Sequence, residues 1–373
     1  MKILFLAGGS PATVFALVPL ATAARNAGHE VMLGVTGETV WAATGVGLPA
    51  LAVTELTLRD FIYKDRHGEP SVFPADPVAQ DRFTGAWSAR MGEAGLPVLR
   101  ELAKVWRPDA VVGGTMAYAA PLLAAELGVP HVRQTWDGNE FAEVDRGAAE
   151  ELGVPELPAP DLFVDITPPS LRFPGAPAAQ PMRWRPGNVQ RPLEPWMYTP
   201  GPRPRVVVTA GSRISGGDRA EAGDYRRYGY EFLLGLAKEL SGLDAELVVA
   251  APDDLTAALR AELGDVHAGW VPLDVVAPTC AAIVHSCGGI TTMTAVSAGV
   301  PQLVLPLAPA FQAPARRLVD RGVALMPGEE GRAAACGTLI GDPAFRAAAA
   351  DLAGEVSELP PPAEVLAVVE SLL

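Results

Sequence analysis

The stretch AAIVHSCGGITTMTAVSAGVPQLVLP, residues 281–306, contains a strand-helix-strand pattern from which the fold class can be predicted. Its apolar run at 281–284 predicts a buried strand, the text after the glycine pair predicts a helix, and the run at 302–305 predicts a second buried strand. A strand, a helix and a strand in this order form two parallel strands with a right-handed crossover. The stretch therefore predicts an α/β fold built on a parallel sheet.

The same alternation extends over both halves of the chain. Further strands are predicted at 2–7, 30–35, 50–53, 109–113, 130–135, 205–210 and 246–251. The predicted helices lie at 14–27, 81–105, 117–127, 228–240 and 364–373. Between 155 and 204 prolines are too frequent for regular structure, so we interpret this segment as a linker with edge segments.

Two α/β halves predict two Rossmann-like domains with a cleft between them, which suits a chain of 373 residues. We expect the N-terminal domain to cover 1–190, with the linker starting near 155, and the C-terminal domain to cover 203–355. A closing helix in 356–373 is expected to pack back toward the N-terminal domain.

Composition and charge exclude several classes of function. The formal net charge of −14 disfavours non-specific binding to nucleic acid or to an anionic membrane. Three cysteines without a CxxC pair and five histidines without ligand spacing predict neither a disulfide framework nor a metal site. The first residues resemble a signal peptide, but Gly8-Gly9-Ser10-Pro11 divides them into a strand and a helix. We expect a reducing, cytoplasmic setting and no membrane span, and a homodimer stays open.

The loop at the centre of the opening stretch is suited to holding a phosphate. Gly288 and Gly289 allow close backbone approach, and the helix that follows presents unpaired N–H groups and a positive dipole end. His285 can donate a hydrogen bond while neutral, and Thr291 can bind phosphate or cap the helix. The competing interpretation is an ordinary αβ loop in which His285 is a satisfied core residue.

The sequence around this loop resembles a known family. GWVPL at 269–273 precedes the loop, and AGVPQLVLP at 298–306 and ARRL at 315–318 follow it. This ordered series resembles the donor-binding half of bacterial GT-B glycosyltransferases that decorate natural products, closest in character to those acting on aromatic polyketides, including C-glycosyltransferases. The stretch LVPLATAARNAGHEV at 17–31 and the PPS segment at 168–170 extend the resemblance over most of the chain.

The resemblance implies roles for residues of the C-terminal half. Trp270 and Val271 would receive the nucleotide base, with Val271 contacting it through the backbone. His285 and the backbone at 288, 289 and 291 would hold the pyrophosphate. Gly211, Ser212 and Arg213 would close over the phosphates or the sugar, although Arg213 can equally be a solvated loop charge.

Two departures from the family pattern alter the donor pocket. Cys287 and Ile290 stand where the family usually has glycine. Ala310 and Phe311 stand where the family has an Asp-Gln pair that contacts sugar hydroxyls. Both substitutions in the second pair remove hydrogen-bonding capacity, which favours a deoxygenated sugar.

The N-terminal half has no obvious general base. Relatives that form O-glycosides commonly carry a histidine where this chain has Thr13, which either orients a phenol or caps the helix after it. Asp137 is the other catalytic candidate, with Glu140 nearby, because the apolar ring of Trp136 beside it would favour uptake of a phenol proton.

Several side chains are expected to contact the acceptor. Ser10 precedes the first helix, and four apolar residues either line an aromatic pocket or belong to the core: Phe61, Trp87, Met116 and Trp136.

The resemblance, together with these residues, implies a metal-independent transferase without a cofactor, and the resemblance alone implies inversion. It would move a deoxysugar from a dTDP-sugar to a polyketide-like aromatic acceptor, as a C- or an O-glycoside, in antibiotic biosynthesis. The alternative from a different class is a catalytically weak partner protein that supports another transferase. A sugar-nucleotide epimerase is a third interpretation, but no carboxylates stand at identifiable positions for its chemistry.

Overall fold

The computed structural model describes residues 1–211 and 224–373, and it divides into two compact units. The first unit comprises Met1–Thr167, Arg172–Gln190 and Leu359–Leu373. The second unit comprises Pro168–Leu171 and Arg191–Glu358.

The first unit is built on a seven-stranded parallel sheet in the order β3-β2-β1-β4-β5-β6-β7. Its strands are β1 (Lys2–Leu6), β2 (Glu30–Thr36), β3 (Ala50–Thr54), β4 (Ala110–Gly114), β5 (His131–Gln134), β6 (Leu162–Asp165) and β7 (Gln180–Pro181). The helices of its first segment, Met1–Thr167, are α1 (Pro11–Asn26), α2 (Val40–Thr44), α3 (Leu58–Tyr63), α4 (Pro77–Val105), α5 (Ala119–Leu127) and α6 (Ala142–Leu152).

The second unit is built on a six-stranded sheet in the order β10-β9-β8-β11-β12-β13, also parallel. Its strands are β8 (Arg205–Thr209), β9 (Glu246–Ala250), β10 (His267–Gly269), β11 (Ala282–His285), β12 (Gln302–Val304) and β13 (Ala324–Leu325). Its helices are α7 (Pro195–Tyr198), α8 (Asp224–Leu240), α9 (Asp253–Leu263), α10 (Leu273–Val276), α11 (Gly289–Ser297), α12 (Gln312–Asp320), α13 (Arg332–Gly341) and α14 (Pro343–Glu358). The predicted two-domain α/β fold is confirmed.

Helix α4 starts earlier than the apolar periodicity predicts. Asp76 accepts a hydrogen bond from the Ala79 N–H at 2.9 Å, and Pro77 occupies the first helical position, where its missing N–H costs nothing. The helix packs against α6 at two glycines. A Cβ on Gly85 would lie 1.8 Å from the Val144 carbonyl oxygen, so this close crossing requires glycine.

The proline-rich segment is more than a linker. Strands β6 and β7 lie within it and extend the first sheet at its edge, because their backbone groups pair with neighbouring strands even where prolines surround them. Pro168–Leu171, between these strands, belongs to the second unit, where the Ser170 N–H donates to Glu355.

The C-terminal residues belong to the first unit. Helix α15 (Pro362–Glu370) packs against α1 with Val365, Leu366 and Val369 buried. Arg183 fixes the approach to this helix, since its backbone N–H donates to the Pro360 carbonyl at 2.7 Å. Within residues 1–211 and 224–373, no helix combines the length and apolarity that a membrane crossing requires.

Candidate functional site

The predicted donor residues follow the carboxyl ends of neighbouring strands in the second sheet. In the register of the sheet, His285 at the end of β11 pairs with Thr209 of β8 and with Val304 of β12. The described residues that follow these strands and β10 along the same edge are Gly211, Trp270, Val271, His285, Gly288, Gly289, Thr291, Ala310 and Phe311. Ser212 and Arg213 lie outside the described residues. Ligands of open α/β sheets bind at this edge.

His285 is almost fully buried, at 1% exposure, and both ring nitrogens are bonded within the protein. Nδ1 accepts from the Cys287 N–H at 3.1 Å, so the proton lies on Nε2, which donates to Gln302 Oε1 at 2.8 Å. Burial lowers the pKa of His285 to about 4, so the ring is neutral at pH 7. In this arrangement the Nε2 proton is donated to the Gln302 side chain. These two hydrogen bonds hold the loop, and direct donation from His285 to a phosphate stays a prediction from the sequence.

The backbone at Cys287 adopts a conformation that usually requires glycine, the residue that the family has at this position. Its φ of 63° is left-handed, and no other non-glycine residue of the described ranges has a positive φ. Glycine is the residue that adopts this conformation without strain. The hydrogen bond from the Cys287 N–H to His285 holds the backbone in the turn that glycine would otherwise favour.

The loop ends at an open helix N-terminus. Gly288 is the N-cap of α11, with extended backbone at φ −65° and ψ 136°. The N–H groups of the first turn, at 289–291, have no partner within the helix, which is an arrangement suited to an anion. A Cβ on Gly288 would meet no heavy atom within 4 Å, so the space beside the cap is open.

Trp270 and Val271 differ in which of their atoms are available to contact the base of a nucleotide. Arg191 covers the Trp270 ring with its guanidinium carbon 5.3 Å from the ring centroid, and both of its terminal nitrogens donate to Asp253. The Val271 side chain packs into the core beside Val276. The backbone at Val271 is therefore the part that remains suited to base contact.

Ala310 and Phe311 form the end of a short 3-10 helix, Pro309–Phe311. Ala310 is exposed and Phe311 is half-buried, and neither side chain offers a hydrogen bond. Gln312, the first residue of α12, carries the side-chain amide nearest in sequence to this pair. It was not among the donor residues predicted from the sequence.

In the first unit, Ser10 and Thr13 form a capping box at the start of α1. The Thr13 hydroxyl donates to the Ser10 carbonyl at 2.8 Å, and the Thr13 N–H donates to Ser10 Oγ at 3.5 Å. Of the two roles that the sequence left open for Thr13, the structure supports the cap. The catalytic role of Thr13 and the acceptor contact of Ser10 stay predictions, and in this structure both side chains are hydrogen-bonded at the helix terminus.

The aromatic residues predicted to line an acceptor pocket pack as core instead. Phe61 and Trp87 are buried in one cluster, and Met116 packs against it. Trp136 is also buried, with its ring over the backbone of Gly114. Their large apolar area is more stable when buried against neighbouring side chains than when lining a solvent-filled space.

Asp137 lines a cavity of about 230 Å³. The Asp137 side chain is largely buried, with the residue only 7% exposed, and its two oxygens accept from the backbone N–H and the side-chain amide of Asn139 at 3.0 and 2.8 Å. Glu140 lines the same cavity and is exposed. Asp137 and Glu140 thus line one cavity, and the role of Asp137 as general base stays a prediction.

A network of buried polar side chains, which was not predicted from the sequence, supports the loop between β5 and α6. Arg133 donates to both oxygens of Asp145 at 2.7 Å and to the Thr115 carbonyl. Tyr118 donates its hydroxyl to the same carboxylate at 2.8 Å, and burial raises its pKa well above the ordinary value. The network joins β5 to α6 and so fixes both ends of the loop that carries Asp137.

In the part of the chain that the structure describes, no group of three His, Cys, Asp or Glu side chains could hold a metal ion.

Two family models match the chain. The model of the N-terminal domain of erythromycin biosynthesis protein CIII-like proteins matches residues 22–211, and that of the C-terminal domain matches residues 235–372. Together they match residues in both units.

Individual relatives agree with the family models. The chain is 35% identical over 366 residues to an L-demethylnoviosyl transferase of Streptomyces niveus, which covers 94% of this chain and 93% of the relative. It is 33% identical over 386 residues to an elloramycin glycosyltransferase of Streptomyces olivaceus, covering 98% and 96%.

A solved structure shares the whole fold. A glycosyltransferase of Streptomyces sp. SF2575, complexed with thymidine diphosphate, is 29% identical and superposes with a TM-score of 0.86 over 100% of this chain and 99% of that one. The strand order, the loop after β11 and the matches over both units lead to one assignment. The chain belongs to the erythromycin biosynthesis protein CIII-like family of GT-B glycosyltransferases.

Proposed function

We propose that this glycosyltransferase moves a deoxysugar from a dTDP-sugar to a hydroxylated, polyketide-like aromatic acceptor, with inversion and without a metal ion. The observation that carries the proposal is the loop from His285 to Thr291, which is held by the His285–Gln302 pair and opens onto the N-terminus of α11. This is a site for a diphosphate that needs no metal to neutralise it, because backbone N–H groups and the helix dipole do so.

The donor chemistry follows from this edge of the second sheet. The backbone at Val271 would contact the base, and the N–H groups at 289–291 would contact the pyrophosphate. Gly211, with φ 74° after β8, brings backbone close to the same edge. The similar transferase crystallised with thymidine diphosphate supports thymidine as the nucleoside.

The acceptor chemistry depends on Asp137. Its carboxylate takes the proton of a phenol, and the phenolate then attacks the anomeric carbon from the face opposite the diphosphate. Attack through oxygen forms an O-glycoside. Attack through the ortho carbon forms a C-glycoside, and the proton of that carbon then moves to the ring oxygen, which restores the phenol. In both cases the bond between the anomeric carbon and the diphosphate oxygen breaks, and dTDP leaves with the electron pair.

The sugar preference follows from Ala310 and Phe311. An apolar wall loses nothing when the sugar lacks a hydroxyl, whereas a hydroxyl buried against it without a partner costs about 1–3 kcal/mol. We therefore expect a preference of roughly tenfold or more in kcat/KM for a dTDP-2,6-dideoxyhexose over dTDP-glucose. Equal values for the two donors would reject this part of the proposal.

The test is transfer by the purified chain in the presence of EDTA. With a dTDP-2,6-dideoxyhexose and a hydroxylated anthraquinone, we expect one glycosylated product and one dTDP per turnover. Asp137→Asn should lower kcat by about 10²–10⁴-fold, the range for loss of a general base. Thr13→Ala serves as the matched control in the same unit, and its effect should be much smaller because Thr13 caps a helix.

A severe loss in Thr13→Ala with normal turnover in Asp137→Asn would reverse the assignment of the base. Absence of product with every donor and acceptor pair, despite dTDP binding, would instead favour the supporting partner protein. The named relatives are transferases, which favours the enzyme.

We also propose a reducing, cytoplasmic setting. Burial raises the pKa of Cys280 to about 12 and that of Cys336 to about 11, so both thiols are poor nucleophiles and behave as core residues. A homodimer is a further open proposal, and light scattering that returned the mass of one chain would reject it.

A further inference from the structure

Trp270 follows β10 at the carboxyl edge of the second sheet, and an arginine covers its ring. The Arg191 guanidinium carbon lies over the ring, 5.3 Å from the ring centroid. Both terminal nitrogens of Arg191 donate to the Asp253 carboxylate, at 2.8 and 2.7 Å. Asp253 begins α9, just after β9, and β9 pairs with β10 in the sheet. The covered ring therefore belongs to the edge where ligands of open α/β sheets bind.

The Trp270 side chain is half-buried. It packs against the apolar core cluster that contains Val276, while the guanidinium of Arg191 lies over the ring. Every nucleobase is planar and has a π face that can stack on an aromatic ring. A base whose edge is bonded by the backbone of Val271 lies one residue away from this indole. To stack on the ring, the base has to take the place of the guanidinium.

The contact between Arg191 and the ring is weak enough for a base to displace it. The side chains of Arg191 and Asp253 are 46% and 66% exposed, so water and salt screen their ion pair. A cation–π contact at an exposed site changes an equilibrium by roughly two- to fivefold. A base stacked on an aromatic ring contributes about fivefold to a hundredfold. The base therefore displaces the guanidinium, and its affinity is reduced by the contact that is lost.

We propose that Arg191 sets how strongly this site binds the nucleotide base. Its guanidinium occupies the ring face of Trp270 on which the base stacks, and the base displaces it when the backbone of Val271 bonds the base edge. Arg191 thereby weakens the binding of the nucleotide sugar and of the released dTDP, through the base and not through the phosphates. This inference rests on the proposed function, because it takes the base contact after β10 from it.

The test measures binding of dTDP and of inorganic pyrophosphate to the full chain by titration calorimetry, since pyrophosphate lacks the nucleoside. Arg191→Ala should bind dTDP about two- to fivefold more tightly than the wild type and should bind pyrophosphate equally well. Arg203→Ala is the matched control, because it removes the same charge from the same proline-rich segment. Arg203 pairs with Asp244 at 4.0 Å, ahead of β8 and β9 and so at the opposite edge of the sheet. Its loss should leave dTDP affinity unchanged.

A double-mutant cycle shows whether the ring of Trp270 carries the effect. Trp270→Leu removes the stacking face and should weaken dTDP binding by about fivefold or more. In that background Arg191→Ala should no longer change dTDP affinity, because there is no ring to cover. In transfer assays Arg191→Ala alone should lower KM for the dTDP-sugar by the factor seen for dTDP, without raising kcat.

Weaker dTDP binding in Arg191→Ala with unchanged pyrophosphate binding would mean that Arg191 holds the base, and weaker binding of both probes would mean that it holds the phosphates. Either result, equal dTDP affinity, or an effect that persists in Trp270→Leu would overturn the inference, and the proposed function would stand if sugar is still transferred. Binding that follows the expected pattern in a chain that transfers no sugar would leave the role of Arg191 standing and reject the proposed function.

Discussion

Gln302 and His285 are a buried pair whose bonds hold the loop before α11. Gln302 accepts from His285 with Oε1, while its amide nitrogen has no partner in the protein. His285 in turn accepts from the Cys287 N–H. Removal of one side chain therefore leaves a buried polar group of the other uncompensated, whereas removal of both does not.

This geometry predicts strong coupling in a double-mutant cycle. We expect His285→Leu and Gln302→Leu each to lower the free energy of unfolding by about 1–3 kcal/mol. The double variant should cost less than the sum by about 1 kcal/mol or more, because the residues are in direct contact. Urea unfolding measures all four states. Additive losses would contradict the pairing, and an undiminished dTDP shift in Tm in Gln302→Leu would contradict its role in the loop.

Two buried histidines make the fold sensitive to acid. Burial lowers the folded-state pKa of His131 and of His285 to about 4 from the ordinary imidazole value of 6.5. The unfolded chain therefore binds more protons between pH 6.5 and 4, so stability is lost as pH falls through that window. At pH 5 each histidine should cost about 2 kcal/mol.

The measurement is urea unfolding at pH 7.5 and pH 5. His131→Leu should lose its share of the difference, about 2 kcal/mol, since the imidazole that gains a proton on unfolding is gone. The same pH dependence in this variant as in the wild type would contradict the assignment to His131.

At the scale of elements, the crossing of α4 and α6 positions the loop that carries Asp137. The crossing depends on Gly85 and Gly147, where a Cβ would lie 1.8 Å from the Val144 oxygen and 2.0 Å from the Arg82 oxygen. Backbone atoms are the obstacles, so a small rotation of a side chain gives no relief.

Gly85→Ala should lower the free energy of unfolding by about 3 kcal/mol or more, beyond ordinary overpacking, because the helices must separate. Gly235→Ala is the matched control. Gly235 also lies within a helix, but a Cβ added there would meet no heavy atom within 4 Å. The substitution should therefore raise the free energy of unfolding by roughly 0.5–1 kcal/mol. Thermal unfolding distinguishes the two, and similar effects at both positions would contradict the close crossing.

At the scale of the whole molecule, the chain leaves the second unit after Glu358 and ends in the first. Helix α15 buries Val365, Leu366 and Val369 against the first unit. Each such side chain contributes roughly 1.5–3 kcal/mol when buried. The stability of the N-terminal half therefore depends on the last residues of the sequence.

Leu366→Ala should lower the stability of the first unit by about 2–5 kcal/mol, the usual range for a buried leucine. Leu373→Ala, at a residue that is 54% exposed, is the control and should change stability by less than about 0.5 kcal/mol. Hydrogen exchange should show lost protection in β1 and β4 but not in β8 and β11. Loss confined to the second unit would contradict the placement of α15.

The sequence alone was enough to predict the α/β fold, the two repeated halves and the placement of the predicted donor residues after strands of the second sheet. These follow from local periodicity and from loops placed after strands, which do not depend on distant contacts. The tertiary structure decided which interpretation of each residue holds. Contacts between residues far apart in sequence bury Phe61 and Trp87 as core, pair His285 with Gln302, join β5 and β6 around a cavity lined by Asp137, and return α15 to the first unit. A linear pattern shows that a side chain is apolar or polar, but the partner that satisfies it is set only when the chain folds.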